Sequence, residues 1–242
     1  MTKLARSTTI ISAFFGVLIL SGTPHAQTRP PIVEQLAKTY GLDSYGQVEA
    51  IRYTWNRQAH GLNISRSWVW EPKTNKISYE GKDKDGKPVK LTYVRSQLSI
   101  QPDIVKNEID PDFNDDNYDL LLPFHVYWDT SATATDKGKH KLPLGSGSAE
   151  LLEVKYPNEG GYTPGDTYEI YIGEGNRIVQ FVYHEDGKKP ITGASRWTDY
   201  KKAGPLLIPM EHRGIVAGKP FRLFFSDVAV KLTGSDNWIK AE

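Results

Sequence analysis

The chain has 242 residues, 30 Lys and Arg against 29 Asp and Glu, 27 aromatics and no cysteine. The lack of cysteine excludes disulfides, thiolate metal sites, iron–sulfur clusters, a cysteine nucleophile and a lipid-anchored N-terminal cysteine. Near-neutral charge speaks against a protein that coats phosphate backbones, and an apolar share of 38% belongs to a folded chain rather than a disordered one.

Lys3 and Arg6 precede an 11-residue apolar run, Ile10–Leu20. That run is about half of the ~20 residues a membrane-crossing helix needs. Gly22 and Pro24 break it, and Ala26 supplies the small residue of a cleavage site. Because Pro24 would stand three residues before that cut, cleavage after Gly22 is the alternative. Residues 1–26 therefore read as a secretory signal peptide rather than an uncleaved anchor, and 27–242 as one domain acting in the periplasm or outside the cell. Without Lys3 and Arg6 the remainder carries 28 basic and 29 acidic residues, a formal charge of −1. A chain of ~200 residues buries about 70% of its unfolded surface, enough for stability without disulfides.

Pro30 and Pro31 open a short helical pattern in which Ile32, Val33, Leu36 and Tyr40 share a narrow stripe, and Gly41 ends it. Period-2 segments follow: Ile51, Tyr53 and Trp55; Trp68 and Trp70; Ile77 and Tyr79; Val89, Leu91 and Tyr93. Turn signals separate them at Gly61–Asn63, Pro72–Asn75 and Asp83–Gly86, which predicts an antiparallel meander. The stretch from Gln101 to Asp119 is acidic and reads as a solvated loop. It leads into Tyr118–Trp128, a dense apolar segment predicted as a helix capped by Asn114 or Asp115. Pro123 should kink that helix or divide it. A Gly/Ser/Lys loop (Thr135–Ser148) precedes further strands around Leu152–Tyr156, Tyr168–Ile172, Val179–Tyr183, Trp197, Leu206–Pro209 and Phe221–Leu232. The total is about ten strands, a mainly β chain with a few helices (α+β). A sheet that long twists and curls toward an unclosed barrel.

Curling gives the sheet a concave face, and alternation places Tyr53, Trp55, Trp68, Trp70, Tyr79 and Tyr93 on it. An open apolar face of that size is costly in water, so the helical segment carrying Leu121, Phe124 and Trp128 is expected to cover it as a lid. These nine residues are the predicted ligand-contacting set. If the lid leaves room, the space suits an acyl chain or similar guest; if it fills the hollow, the aromatics are ordinary core.

The closing stretch Trp197–Pro209 (WTDYKKAGPLLIP), a reverse turn at Ala217–Lys219 and the strand Phe221–Val230 (FRLFFSDVAV) resemble the end of a LolA-like protein. This is a superfamily of periplasmic lipoprotein-sorting and lipoprotein-binding proteins. The order of elements is similar over residues 31–232, while Trp68–Pro72 (WVWEP) and Gly161–Asp166 (GYTPGD) look peculiar to a subgroup. The resemblance implies an unclosed β-barrel with a helical lid, carriage or sensing of a hydrophobic ligand or a lipidated protein, and transient contact with envelope membranes or their proteins.

Other chemistry finds little support. Gly145–Ser148 lacks the spacing of a nucleophile elbow. His60, His125, His140, His184 and His212 are scattered without a metal-ligand spacing. His125 and Asp129 stand four apart and could pair. Asp110, Asp112 and Asn114 match the start of a calcium loop, but Asp115 stands where glycine is needed and Leu121 where a bidentate glutamate is needed. Nucleic acid is disfavoured because no basic cluster accompanies the aromatics. The expectation is thus a non-enzymatic protein with no metal and no cofactor. Two alternatives stay open: a partner-binding envelope protein with a packed core, and an envelope-polymer hydrolase using His125 and carboxylates.

Overall fold

The computed structural model describes residues 29–160, 162–188 and 191–242. The expected signal peptide, 1–26, lies outside the described residues. Among the described residues no helix is long and apolar enough to cross a membrane.

Helix α1 (Pro31–Thr39) buries Val33, Leu36 and Ala37, with Pro31 in the first turn where its missing N–H costs nothing. Gly41 ends it at φ 110, and a Cβ there would stand 2.3 Å from the Pro205 carbonyl oxygen. Only glycine permits both the left-handed backbone and the close approach. The chain then enters β1 (Val48–Ala59), β2 (Leu62–Glu71), β3 (Lys76–Lys82) and β4 (Pro88–Val94), an antiparallel meander. After a helical crossover come β5 (Thr133–Lys141), β6 (Ser148–Lys155), β7 (Thr167–Ile172), β8 (Ile178–His184), β9 (Gly193–Ala203), β10 (Leu206–Val216), β11 (Lys219–Leu232) and β12 (Trp238–Lys240). All join one sheet in the order β4-β3-β2-β1-β11-β10-β9-β8-β7-β6-β5, with β12 beside β11.

That order explains the cover. Strands β4 and β5 are the two free edges, so the chain between them must cross the whole sheet. It does so as a 3-10 segment (Arg95–Ile100), a π turn (Val105–Ile109) and helix α2 (Asp110–Trp128) over the buried face. The sheet is a curled, unclosed barrel wall, as expected. Register shifts in the β1–β11 pair, between Val48 and Ala50 and between Arg52 and Thr54, add local twist where the two meanders join.

Three sequence expectations are corrected. The supposed loop 135–148 is partly strand β5, which with the short β12 brings the strands among the described residues to twelve where about ten were expected. Strand β5 is a sheet edge rich in Lys and Gly, a composition that guards an edge against further pairing and hides its strand character. The acidic stretch 101–119 is largely helical, and Asp110 and Asp116 are buried rather than solvated. Neither Asn114 nor Asp115 caps α2, which begins at Asp110 with Pro111 in its first turn. The kink is present at Leu121 (φ −119, ψ 24), two residues before Pro123, where the ring displaces the backbone of the preceding turn.

Candidate functional site

Three arginines and two indoles hold α2 in place, with Arg66, Trp55 and Trp68 fastening it to the barrel wall. Arg66 on β2 reaches both Asp116 oxygens, Nε to Oδ2 at 2.7 Å and Nη2 to Oδ1 at 2.6 Å, while its Nη1 meets Asp112 Oδ1 at 2.6 Å. Trp68 Nε1 donates to Asp116 at 2.8 Å, and Trp55 Nε1 donates to Asp119 at 3.0 Å. At one end Tyr93 Oη and Arg95 Nε both donate to Asp110. At the other, the Arg29 guanidinium donates to the carbonyls of Val126 and Tyr127, which an α-helix leaves unpaired at its C-terminus, and to those of Asp129 and Ala132 just beyond it. Burial pushes Asp116 above the ordinary carboxylate range, against the opposing pull of Arg66 and the Trp68 indole.

Beneath the middle of α2 lies a cleft of about 350 Å³, at the lower end of ordinary ligand sites. Its walls are largely aromatic: Trp55 on β1, Tyr118 on α2, Tyr162 in the β6–β7 loop, Tyr168 on β7, Phe181 on β8 and Trp197 on β9. Arg57, Arg66, Asp115 and Asp119 supply charge along its more exposed side. Burial raises Asp119 to about 6, although its bond from Trp55 works against the rise.

Strand geometry builds the floor. His212 on β10 stands opposite both Trp197 on β9 and Leu223 on β11. The imidazole stacks on the Trp197 ring with centroids 3.9 Å apart and planes at 7°. Gly214, two residues on, is opposite Ser195, and a Cβ there would fall 1.8 Å from the Ala194 carbonyl oxygen, so glycine is obligatory where these strands close up. His212 is 3% exposed, its Nε2 has no hydrogen-bond partner, and burial lowers its pKa to about 3. Tyr118 is likewise buried with its Oη unpartnered, and its ring stacks on Tyr162 at 3.6 Å. Ser195 Oγ accepts from Trp197 Nε1 at 3.1 Å, which engages it with the indole rather than with His212.

Of the nine predicted residues, Trp55 lines this cleft. The rest meet the protein's own side chains: Trp68 packs on Tyr79 and Phe113, Trp70 on Phe113, Tyr53 on Phe225, and Tyr93 binds Asp110. Leu121 and Phe124 are fully buried in the lid, and Trp128, 38% exposed, stacks on Phe124. His125 pairs with Asn117 Oδ1 at 2.9 Å, not with Asp129, because the kink at Leu121 brings those two turns together on one face. The residues sequence reasoning missed, His212, Trp197, Tyr168 and Phe181, had a signal: Leu206, Ile208, Met210 and His212 alternate, which puts the histidine on the apolar face of β10. The outer surface also carries a groove of about 1,090 Å³ between β2–β4 and the start of α2, whose lining mixes Glu80, Lys82 and Asp83 with the apolar Leu62, Ile64 and Val89.

No protein-family model and no curated protein matches the chain. Among solved structures, the fold is similar to a DUF1329 family protein from Desulfovibrio piger ATCC 29098, at 11% identity and TM-score 0.48 over 86% of this chain and 96% of that one. It is also similar to the LolA superfamily protein NE2245 from Nitrosomonas europaea, at 8% identity and TM-score 0.46 over 82% of this chain and 91% of that one. Neither description mentions a ligand or a reaction.

Proposed function

We propose that this is a non-catalytic cell-envelope protein that carries or senses a hydrophobic ligand, or the lipid of a modified partner protein, in the cleft beneath α2. One observation carries the reading: the single sheet curls around an aromatic-walled cleft that the protein's own side chains leave unfilled. A volume of about 350 Å³ admits a compact guest as it stands. A longer chain would have to displace α2, and would then meet the inner rings of Tyr53, Trp68, Trp70, Tyr79 and Tyr93 and the lid residues Leu121, Phe124 and Trp128.

The test is mass spectrometry of an organic extract of gently purified protein, paired with titration of a fluorescent fatty acid. The reading predicts either a co-purified lipid or saturable uptake with quenching of Trp55 and Trp197. Neither retained lipid nor uptake would overturn it in favour of a packed scaffold.

A further inference from the structure

We infer that the guest is an anionic amphiphile, a hydrophobe whose carboxylate, phosphate or sulfate head is held by Arg57 at the more exposed side of the cleft. This deepens the binding role proposed above and rests on it. Arg57 is an unusual residue for its place on β1. Ile51, Tyr53 and Trp55 are buried on the inward face, and Arg57 continues their parity. Directly opposite it stand Ile64 on β2 and Leu223 on β11, so neither neighbouring strand faces it with an anion. It is half-buried and lines the cleft. Among the described residues it is also the one arginine without a hydrogen bond, an ion pair or a ring contact. The others bind carboxylates or backbone carbonyls, or lie over a ring as Arg52 does on Trp238 and Arg177 on Tyr200.

A guanidinium set among apolar neighbours is costly unless an anion meets it. For Arg66, the other inward arginine of this region, the protein supplies Asp116 and Asp112. For Arg57 it supplies no bonded anion. The carboxylates nearby are engaged elsewhere: Asp115 accepts from Tyr162 Oη at 3.0 Å, and Asp119 from Trp55 Nε1 at 3.0 Å. Burial raises Asp119 and the charge of Arg57 lowers it, yet no ion pair joins the two. A guest head with two oxygens completes the site, because the guanidinium presents parallel N–H groups that match the edge of a carboxylate or phosphate. The head then stays at the exposed side while the apolar body enters between Trp55, Tyr118 and Trp197. An ammonium has no acceptor for these donors and meets a like charge; a hydroxyl accepts one bond and leaves the charge uncompensated.

Calorimetric titration of the full chain with three probes that share a naphthalene body tests the assignment: 2-naphthalenesulfonate, 2-naphthalenemethanol and 2-naphthylmethylammonium. The sulfonate should bind about tenfold more tightly than the alcohol, the worth of one charge-assisted hydrogen bond at a part-exposed site, and the ammonium more weakly than either. Arg57→Met keeps a long side chain and removes the charge. Because Arg57 bonds to nothing in the protein, the thermal midpoint should hold while the sulfonate loses its advantage over the alcohol. Arg57→Gln, polar and uncharged, gives the same reading should the methionine variant lose its fold. Sodium sulfate alone should give no saturable heat where the sulfonate saturates; saturation by sulfate would put a free inorganic anion at Arg57 and overturn the inference. So would equal affinities for sulfonate and alcohol, a preference for the ammonium, or an advantage unchanged in the variants, and each of these leaves the binding role standing. If the folded wild type binds none of the three probes, the binding role falls and takes the inference with it.

Discussion

Replacing His212 by phenylalanine should change how stability depends on pH. Folded, the imidazole titrates at about 3, whereas in the unfolded chain it titrates near ~6.5. The folded pKa is depressed, so the unfolded state takes up the proton first as pH falls. Stability is therefore intact above about 6.5 and is lost progressively on acidification toward 3. Each pH unit below the unfolded pKa costs about 1.4 kcal/mol, so pH 5 costs the wild type about 2 kcal/mol relative to pH 7. His125, held at about 4 by burial, acts in the same direction, while Asp119, raised to about 6, acts in the opposite one. Both are present in the variant and cancel in the difference. Urea denaturation of wild type and His212→Phe at pH 7 and pH 5 reads that difference. The wild type should lose about 2 kcal/mol more than the variant between the two pH values. Parallel losses would mean that His212 is not neutral and desolvated in the folded protein, and the reasoning would fail.

Arg66→Met removes the partner of a fully buried carboxylate and should cost about 3–5 kcal/mol by the same denaturation assay. Arg66→Met with Asp116→Leu should recover most of it, and a single-variant cost below about 1 kcal/mol would show the pair to be dispensable. Gly41→Ala forces a Cβ against the Pro205 carbonyl at a left-handed φ, and thermal denaturation should register a loss of about 1–3 kcal/mol; an unchanged midpoint would contradict the close approach of α1 to β10.

The wall of the barrel was legible because its strands alternate plainly: Ile51, Tyr53 and Trp55 on β1, or Trp68 and Trp70 on β2, carry large rings on one face and polar groups on the other. The cover was legible only in its apolar half. Residues 103–119 look like a solvated loop because seven carboxylates crowd them, and nothing local reveals that Asp110 and Asp116 turn inward to Arg95 and Arg66. The clue lay far away on β2, where Arg66 shares the inward parity of Trp68 and Trp70; a cation on an apolar strand face demands a buried anion. The cleft itself was half-legible. The concave rings of β1–β4 were chosen for their density, but density is what lets Phe113 and Tyr79 fill that end. Space is left instead under the kink of α2, against β7–β11, where the consecutive small residues Gly193, Ala194 and Ser195 sit among the rings. That distribution of volume depends on how two meanders meet at the β1–β11 pair, a long-range register no local pattern encodes.

The central claim is that a guest lodges between α2 and the β7–β11 side of the barrel. Crystals grown with 12-bromododecanoic acid test it most directly, because the anomalous signal of bromine locates the chain without interpretation of weak density. The account predicts a peak in the cleft bounded by Trp55, Trp197 and Tyr162. A peak confined to the outer groove along β2–β4, or no peak in saturated crystals, would contradict it.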